Sequence, residues 1–230
     1  MNRKYLLLLS LLFCSFISYS SLKAQSGPNL WLGVHGGIDI GTVSSDPSPD
    51  NGITLGSRTG IEAGLQADLR VSDMFGLEGQ LSFVQKGATE SSSFGVSPLS
   101  EKLNFSYFQI PVLLRAKFGD GALKPYVFLG PEVGFKLAAT ITLTEGGRDT
   151  TFDIADSEFT PINLSIVAGA GLLFDITEST AFFLDAAYDY GLTNLNAHYG
   201  KSDGSSSTDN QKIYTRDFRF RVGILLGMGN

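Results

Sequence analysis

His35 and His198 are the only histidines in the chain, so they bound the acid–base chemistry open to it. Nucleophilic catalysis needs a base beside a serine or similar nucleophile, and a third group that orients the base. His35 stands in "LGVHGGID" and His198 in "NAHYGK", and neither has a serine pattern that would make it such a base. A hydrogen-bonded interior residue is the expectation for His35, and a solvated loop residue for His198. No motif supports a lysine or carboxylate mechanism either, so the chain is expected not to be an enzyme. The stretch "EGGRDTTFDIADSE" gathers Glu145, Asp149, Asp153, Asp156 and Glu158. It offers oxygen ligands for a divalent cation, but without the ligand spacing of a known calcium loop. Solvated charge is the favoured reading, and no metal or cofactor is expected.

A second pair of carboxylates sets a different problem. In "FFLDAAYDYGLTNL", Asp185 and Asp189 stand four apart within an aromatic and aliphatic run. Read as a strand, Phe182, Leu184, Ala186, Tyr188, Tyr190 and Leu192 share one face. Phe183, Asp185, Ala187, Asp189 and Gly191 share the other. Period two sorts these residues better than a helix does, so both carboxylates belong to one face of a sheet.

The N-terminus bears on compartment. Arg3 and Lys4 precede an apolar run from Tyr5 to about Ser18, followed by "SLKAQSG". That order is that of a secretory signal peptide, expected to span residues 1–26 with cleavage after Ala24 or Ser26. Cys14, the one cysteine, falls inside its apolar core. The exported chain, residues 27–230, then has no cysteine, hence no disulfide and no thiolate metal site. Losing Arg3, Lys4 and Lys23 leaves 14 basic residues against 23 acidic, a net charge of −9. That balance argues against nucleic acid as a partner.

About eight segments alternate with period two. In "GIEAGLQADLR", Ile61, Ala63, Leu65, Ala67 and Leu69 oppose Glu62, Gly64, Gln66 and Asp68; the last segment sets Phe218, Phe220, Val222, Ile224 and Leu226 against Arg219, Arg221, Gly223 and Gly227. Short turns ("VSDM", "GDGALK", "DITEST") alternate with long polar joins such as "GATESSSFGVSPLSEK" and "NAHYGKSDGSSSTDNQK". An eight-stranded antiparallel up-and-down barrel crossing a bilayer gives this asymmetry, with short periplasmic turns and long outer loops. The polar face carries small residues and charges of both signs, as a narrow interior requires. Glu62, Asp68, Glu78, Glu132, Asp185 and Asp189 can pair there with Lys86, Arg115, Lys117, Lys136, Arg219 and Arg221. An arginine or lysine on the lipid face costs about 2–4 kcal/mol at the midplane, so the charged face is expected inside. Tyr188 and Tyr190 then suit the aromatic girdle at the membrane interface.

Three segments carry a resemblance. "YFQIPVLLRAKF", "KPYVFLGPEVGF" and "LDAAYDYGLTNL" resemble strands of the small outer-membrane β-barrel ("porin family") proteins common in Bacteroidetes. The last strand is similar to the outer-membrane assembly signal, with Arg221, Gly223, Leu226 and Met228 at its positions; it departs from the usual pattern in lacking terminal aromatics. The resemblance implies an integral outer-membrane protein of a Gram-negative cell, inserted by the barrel-assembly machinery into lipid and lipopolysaccharide. A filled, ion-paired lumen points to a structural or interaction component of the envelope, with an envelope protein as partner. The alternatives are a narrow channel for small solutes, a lipid-modifying barrel enzyme and a soluble lipocalin-like carrier.

Overall fold

The computed structural model describes residues 29–46, 53–92, 99–145, 148–155, 158–197 and 211–228. The proposed signal peptide with Cys14, and likewise Asp156 and His198, lie outside them. Nine strands form a single antiparallel sheet: β1 (Leu30–Asp46), β2 (Ile53–Arg70), β3 (Phe75–Ser92), β4 (Leu99–Lys117), β5 (Leu123–Glu145), β6 (Arg148–Asp153), β7 (Ile162–Thr177), β8 (Thr180–Gly191) and β9 (Lys212–Met228).

From β1 to β5 and from β7 to β9 each strand pairs with the next along the chain, β5 pairs β7, and β1 pairs β9. The wall therefore closes through eight strands, which removes the sheet edges that an open sheet would expose. The ninth strand, β6, stands outside this ring. It forms a hairpin with the upper part of β5, where Thr140 to Glu145 pair with Asp153 to Arg148, while the lower part of β5 pairs β7.

Three short turns and both ends of the described wall lie at one end of the barrel. Between β2 and β3 the amides of Val71 and Ser72 donate to the Phe75 carbonyl, and the Phe75 amide donates to Ser72 Oγ. Between β4 and β5 the chain turns through Gly119 at φ +83°, a left-handed conformation that glycine adopts without Cβ strain. The longer connections all emerge at the opposite end.

Alternation then sorts every strand of the ring. Outward positions are large and apolar, with Val34 56%, Leu65 58%, Leu114 56%, Leu129 56% and Val222 52% exposed. Inward positions bury Glu62, Glu78, Lys86, Arg115, Asp189 and Arg219. This is a soluble protein turned inside out: such an apolar exterior is stable only against hydrocarbon. Tyr188 and Tyr190 point outward, with Tyr188 packed on Phe218 at 4.8 Å between ring centroids.

Candidate functional site

The interior is the part of the molecule where charged side chains converge, and it is built in three levels. The lowest lies near the short turns. Asp68 on β2 and Glu78 on β3 face each other in register, and both pair with Arg115 of β4, Asp68 at 2.6 Å. The Tyr126 ring lies under the Arg115 guanidinium at 4.3 Å. Trp31 closes this end, with Arg70 over its ring at 4.2 Å. Lys117 is buried one inward position beyond Arg115 on the same strand.

The middle level is organised by two arginines of β9. Arg221 grips Asp185 of the adjacent β8 with two bonds, Nε to Oδ1 at 2.8 Å and Nη2 to Oδ2 at 3.1 Å. Its Nη1 donates across the lumen to Gln80 of β3 at 2.6 Å. The hydroxyl of Tyr126 donates to Asp185 at 2.8 Å, which couples the middle level to the one below. Arg219 reaches Glu132 of β5 at 2.9 Å and lies 3.6 Å from Asp189 and 3.8 Å from Glu62. His35 lies 3.0 Å from Ser82 Oγ and 3.5 Å from Glu62, so it is a hydrogen-bonded interior residue; both contacts fall on Nε2 and Nδ1 has no hydrogen-bond partner, so the carboxylate is not placed to orient the ring from its far side.

The upper level, toward the long connections, is centred on Lys86 of β3. Its ammonium pairs with Asp189 of β8 and, at 2.7 Å, with Asp217 of β9. Asp39 of β1 is fully buried beside them. Above this layer Phe105, Tyr107 and Ala139 form a small apolar plug, packed by Leu103, Ile154 and Phe159.

Ten of the twelve charges expected inside, Glu62, Asp68, Glu78, Lys86, Arg115, Glu132, Asp185, Asp189, Arg219 and Arg221, meet in these pairings. Lys117 is buried at the turn end, and Lys136 lies beside the apolar plug, opposite Tyr107. It is half-buried and donates to the Phe159 carbonyl at 2.9 Å, because β5 shifts register against β4 between Ser106 and Tyr107, just beside it. Asp39 and Asp217 join the interior although the sequence reading passed over them. Both share the parity of residues it did assign inward, His35 on β1 and Arg219 on β9, and that parity was the available signal.

In the acidic connection, Asp149 accepts from Thr144 Oγ1 at 2.7 Å across the β5–β6 hairpin, and Asp153 ends β6. Among the described residues no three His, Cys, Asp or Glu side chains converge to hold a metal. Of the four positions compared with an assembly signal, Arg221 and Gly223 face the lumen, and Leu226 and Met228 face outward at about half exposure.

The family model for the outer membrane protein beta-barrel domain matches residues 23–197. No curated protein matches the sequence. Among solved structures, the chain is similar to the outer membrane protein OprG from Pseudomonas aeruginosa, with 13% identity, 88% of this chain and 98% of that one covered, and a TM-score of 0.49. It is also similar to Neisserial surface protein A, with 14% identity over 89% of this chain and 100% of that one and a TM-score of 0.48. Ail, the attachment invasion locus protein of Yersinia pestis, is 18% identical over 84% of this chain and 97% of its own, with a TM-score of 0.36.

Proposed function

The chain belongs to the outer membrane protein beta-barrel domain family, and on that basis we propose that it is a closed structural or interaction component of the Gram-negative envelope. The observation that carries the reading is the tying of opposite walls through the lumen. Lys86 of β3 holds Asp189 of β8 and Asp217 of β9, and Arg219 of β9 holds Glu132 of β5. Eight strands leave an interior only wide enough for side chains, and here those side chains are paired across it. Solute would have to break several buried ion pairs to pass, each costing about 3–5 kcal/mol when one partner is left alone.

A barrel of this kind works through its surfaces: the apolar belt toward lipid and lipopolysaccharide, and the long connections toward an envelope protein. The N-terminal run fits a signal peptide that exports the chain, and β9 fits the segment read by the assembly machinery. The three strand motifs favour a Bacteroidetes type of barrel. His35 Nδ1 has no carboxylate orienting it as the base of a triad, which supports a role without catalysis.

The test is conductance of the purified barrel in a planar bilayer, together with a mild-detergent pull-down of the tagged protein from native outer membranes. The expected result is no stable single-channel step, and a companion protein recovered in stoichiometric amount. Reproducible unitary steps would replace this reading with that of a narrow channel.

A further inference from the structure

The charges of the lumen do not balance evenly along its length. At the turn end, Asp68 and Glu78 face Arg115 and Lys117, with half-buried Arg70 over Trp31 as a third cation. In the middle and upper levels Asp39, Glu62, Glu132, Asp185, Asp189 and Asp217 face the buried Lys86, Arg219 and Arg221. Two further half-buried cations border this region: Arg58 on β2, whose guanidinium donates to the Lys86 carbonyl at 3.4 Å, and Lys136 on β5, which donates to the Phe159 carbonyl at 2.9 Å. Six carboxylates stand against five cations, so negative charge is in local excess.

Glu62 lacks hydrogen bonds on both oxygens but has His35 and Arg219 within 4 Å, whereas Asp39 makes no ion pair among the described residues. Asp39 is 0% exposed, and neither of its carboxylate oxygens has a hydrogen-bond partner; Oδ1 of Asp217, 1% exposed, has none either. Both Oδ1 atoms point into the space over Gly41, which lies directly opposite Asp217 in the β1–β9 register. A Cβ on Gly41 would stand 2.7 Å from Asp217 Oδ1, 3.2 Å from Asp39 Oδ1 and 3.0 Å from the Gly87 carbonyl oxygen. Three oxygens therefore converge over a position that has no side chain. Lys86 holds the other oxygen of Asp217 and leaves this side of the carboxylate free.

Uncompensated carboxylates cannot stay ionised and unpartnered in a buried site. We infer that a hard divalent cation of the calcium class binds over Gly41 between Asp39 and Asp217, with the Gly87 carbonyl and water completing its shell. An all-oxygen donor set selects calcium or magnesium over softer metals, and calcium tolerates an irregular shell. The ion would lock β1, β3 and β9 together beneath the long connections.

The barrel refolded in detergent with radioactive calcium, then dialysed, tests this. The expected result is one calcium per wild-type barrel, with binding weakened at least about tenfold in Asp39→Asn. Gly41→Ala, whose methyl occupies the space, is expected to lose the ion as well. The outer-hairpin pair Asp149→Asn and Asp153→Asn is expected to bind like wild type. Equal binding by Asp39→Asn, or none by wild type with either calcium or magnesium, would overturn the inference. If the lumen variants fail to refold, infrared spectra of the wild-type barrel decide. A calcium-dependent shift of carboxylate bands supports the site, and a protonated-carboxyl band that persists in calcium shows that protons balance the charge instead.

Discussion

Arg219 Nη2 lies 2.9 Å from Glu132 Oε2, so β9 and β5, which have β8 and β7 between them in the wall, are joined directly through the lumen. Both side chains are almost wholly buried, at 1% and 2% exposure. A buried pair of this kind is weak when judged against an apolar replacement, yet costly to break on one side. Arg219→Met is therefore expected to destabilise the barrel by about 3–5 kcal/mol, because Glu132 loses its partner and Glu62 and Asp189 lose a neighbour. Arg219→Met combined with Glu132→Gln is expected to recover part of that loss, with a coupling of about 1–3 kcal/mol. Urea unfolding in micelles measures both, and purely additive effects would show that the contact carries no energy.

Arg221 and Val222 are consecutive on β9, yet one is buried in the lumen and the other is 52% exposed on the outer face. Moving the charge one residue along the strand is thus expected to be expensive. Val222→Arg, near the middle of β9, is expected to cost about 2–4 kcal/mol in lipid bilayers. Reversible unfolding in vesicles reads the cost, and an unchanged midpoint would mean that this face does not meet hydrocarbon.

The strands and their faces were legible because alternation with period two is written into each segment, as in Ile61 to Leu69. The lumen charges followed from parity, once the cost of charge in hydrocarbon had fixed which face points inward. What parity alone does not carry is a change of register. Glu132 and Gly134 are buried and Lys136 keeps their place in the alternation, but beyond it Leu137 and Ala138 are both exposed and Ala139 is the next buried residue. The inward positions of β5 thus pass from even to odd numbers at the irregularity. No residue type in "FKLAAT" announces that shift. The β6 strand was hidden for another reason: "EGGRDTTFD" is polar, its described residues are exposed on both faces, and a hairpin with no buried face leaves no hydrophobic alternation to read. Its signal is the Gly146-Gly147 pair between threonine-rich arms, a hairpin composition that charge alone obscures.

Two glycines separate close approach from mere absence of a side chain. A Cβ on Gly130 would stand 2.0 Å from the Val112 carbonyl oxygen and 2.9 Å from Leu113 Cα, whereas one on Gly79 would meet nothing within 4 Å. Gly130→Ala must push β5 away from β4 and is expected to cost about 1–3 kcal/mol. Gly79→Ala is expected to be neutral or to stabilise by up to about 1 kcal/mol, because the unfolded chain loses freedom. Denaturant midpoints of the two variants, compared on one preparation, test the contrast. Equal midpoints would remove the close approach of β4 and β5 as a determinant of closure.

The chain's one tryptophan offers a direct reading of which face meets lipid. Trp31 is 1% exposed, turned into the lumen beneath Arg70, while its neighbour Leu32 is 40% exposed on the outer face at nearly the same depth. A shift of one residue on a strand reverses the face without changing the depth by more than about 3.4 Å. Brominated lipids quench only a fluorophore that they can touch. Wild-type fluorescence is therefore expected to survive in brominated-lipid vesicles, and a Trp31→Phe, Leu32→Trp variant to be strongly quenched. The reverse pattern would put the charged face against hydrocarbon. Such a barrel would carry Arg115, Arg219 and Arg221 into the bilayer at about 2–4 kcal/mol each at the midplane, a total comparable to the whole stability of a typical domain.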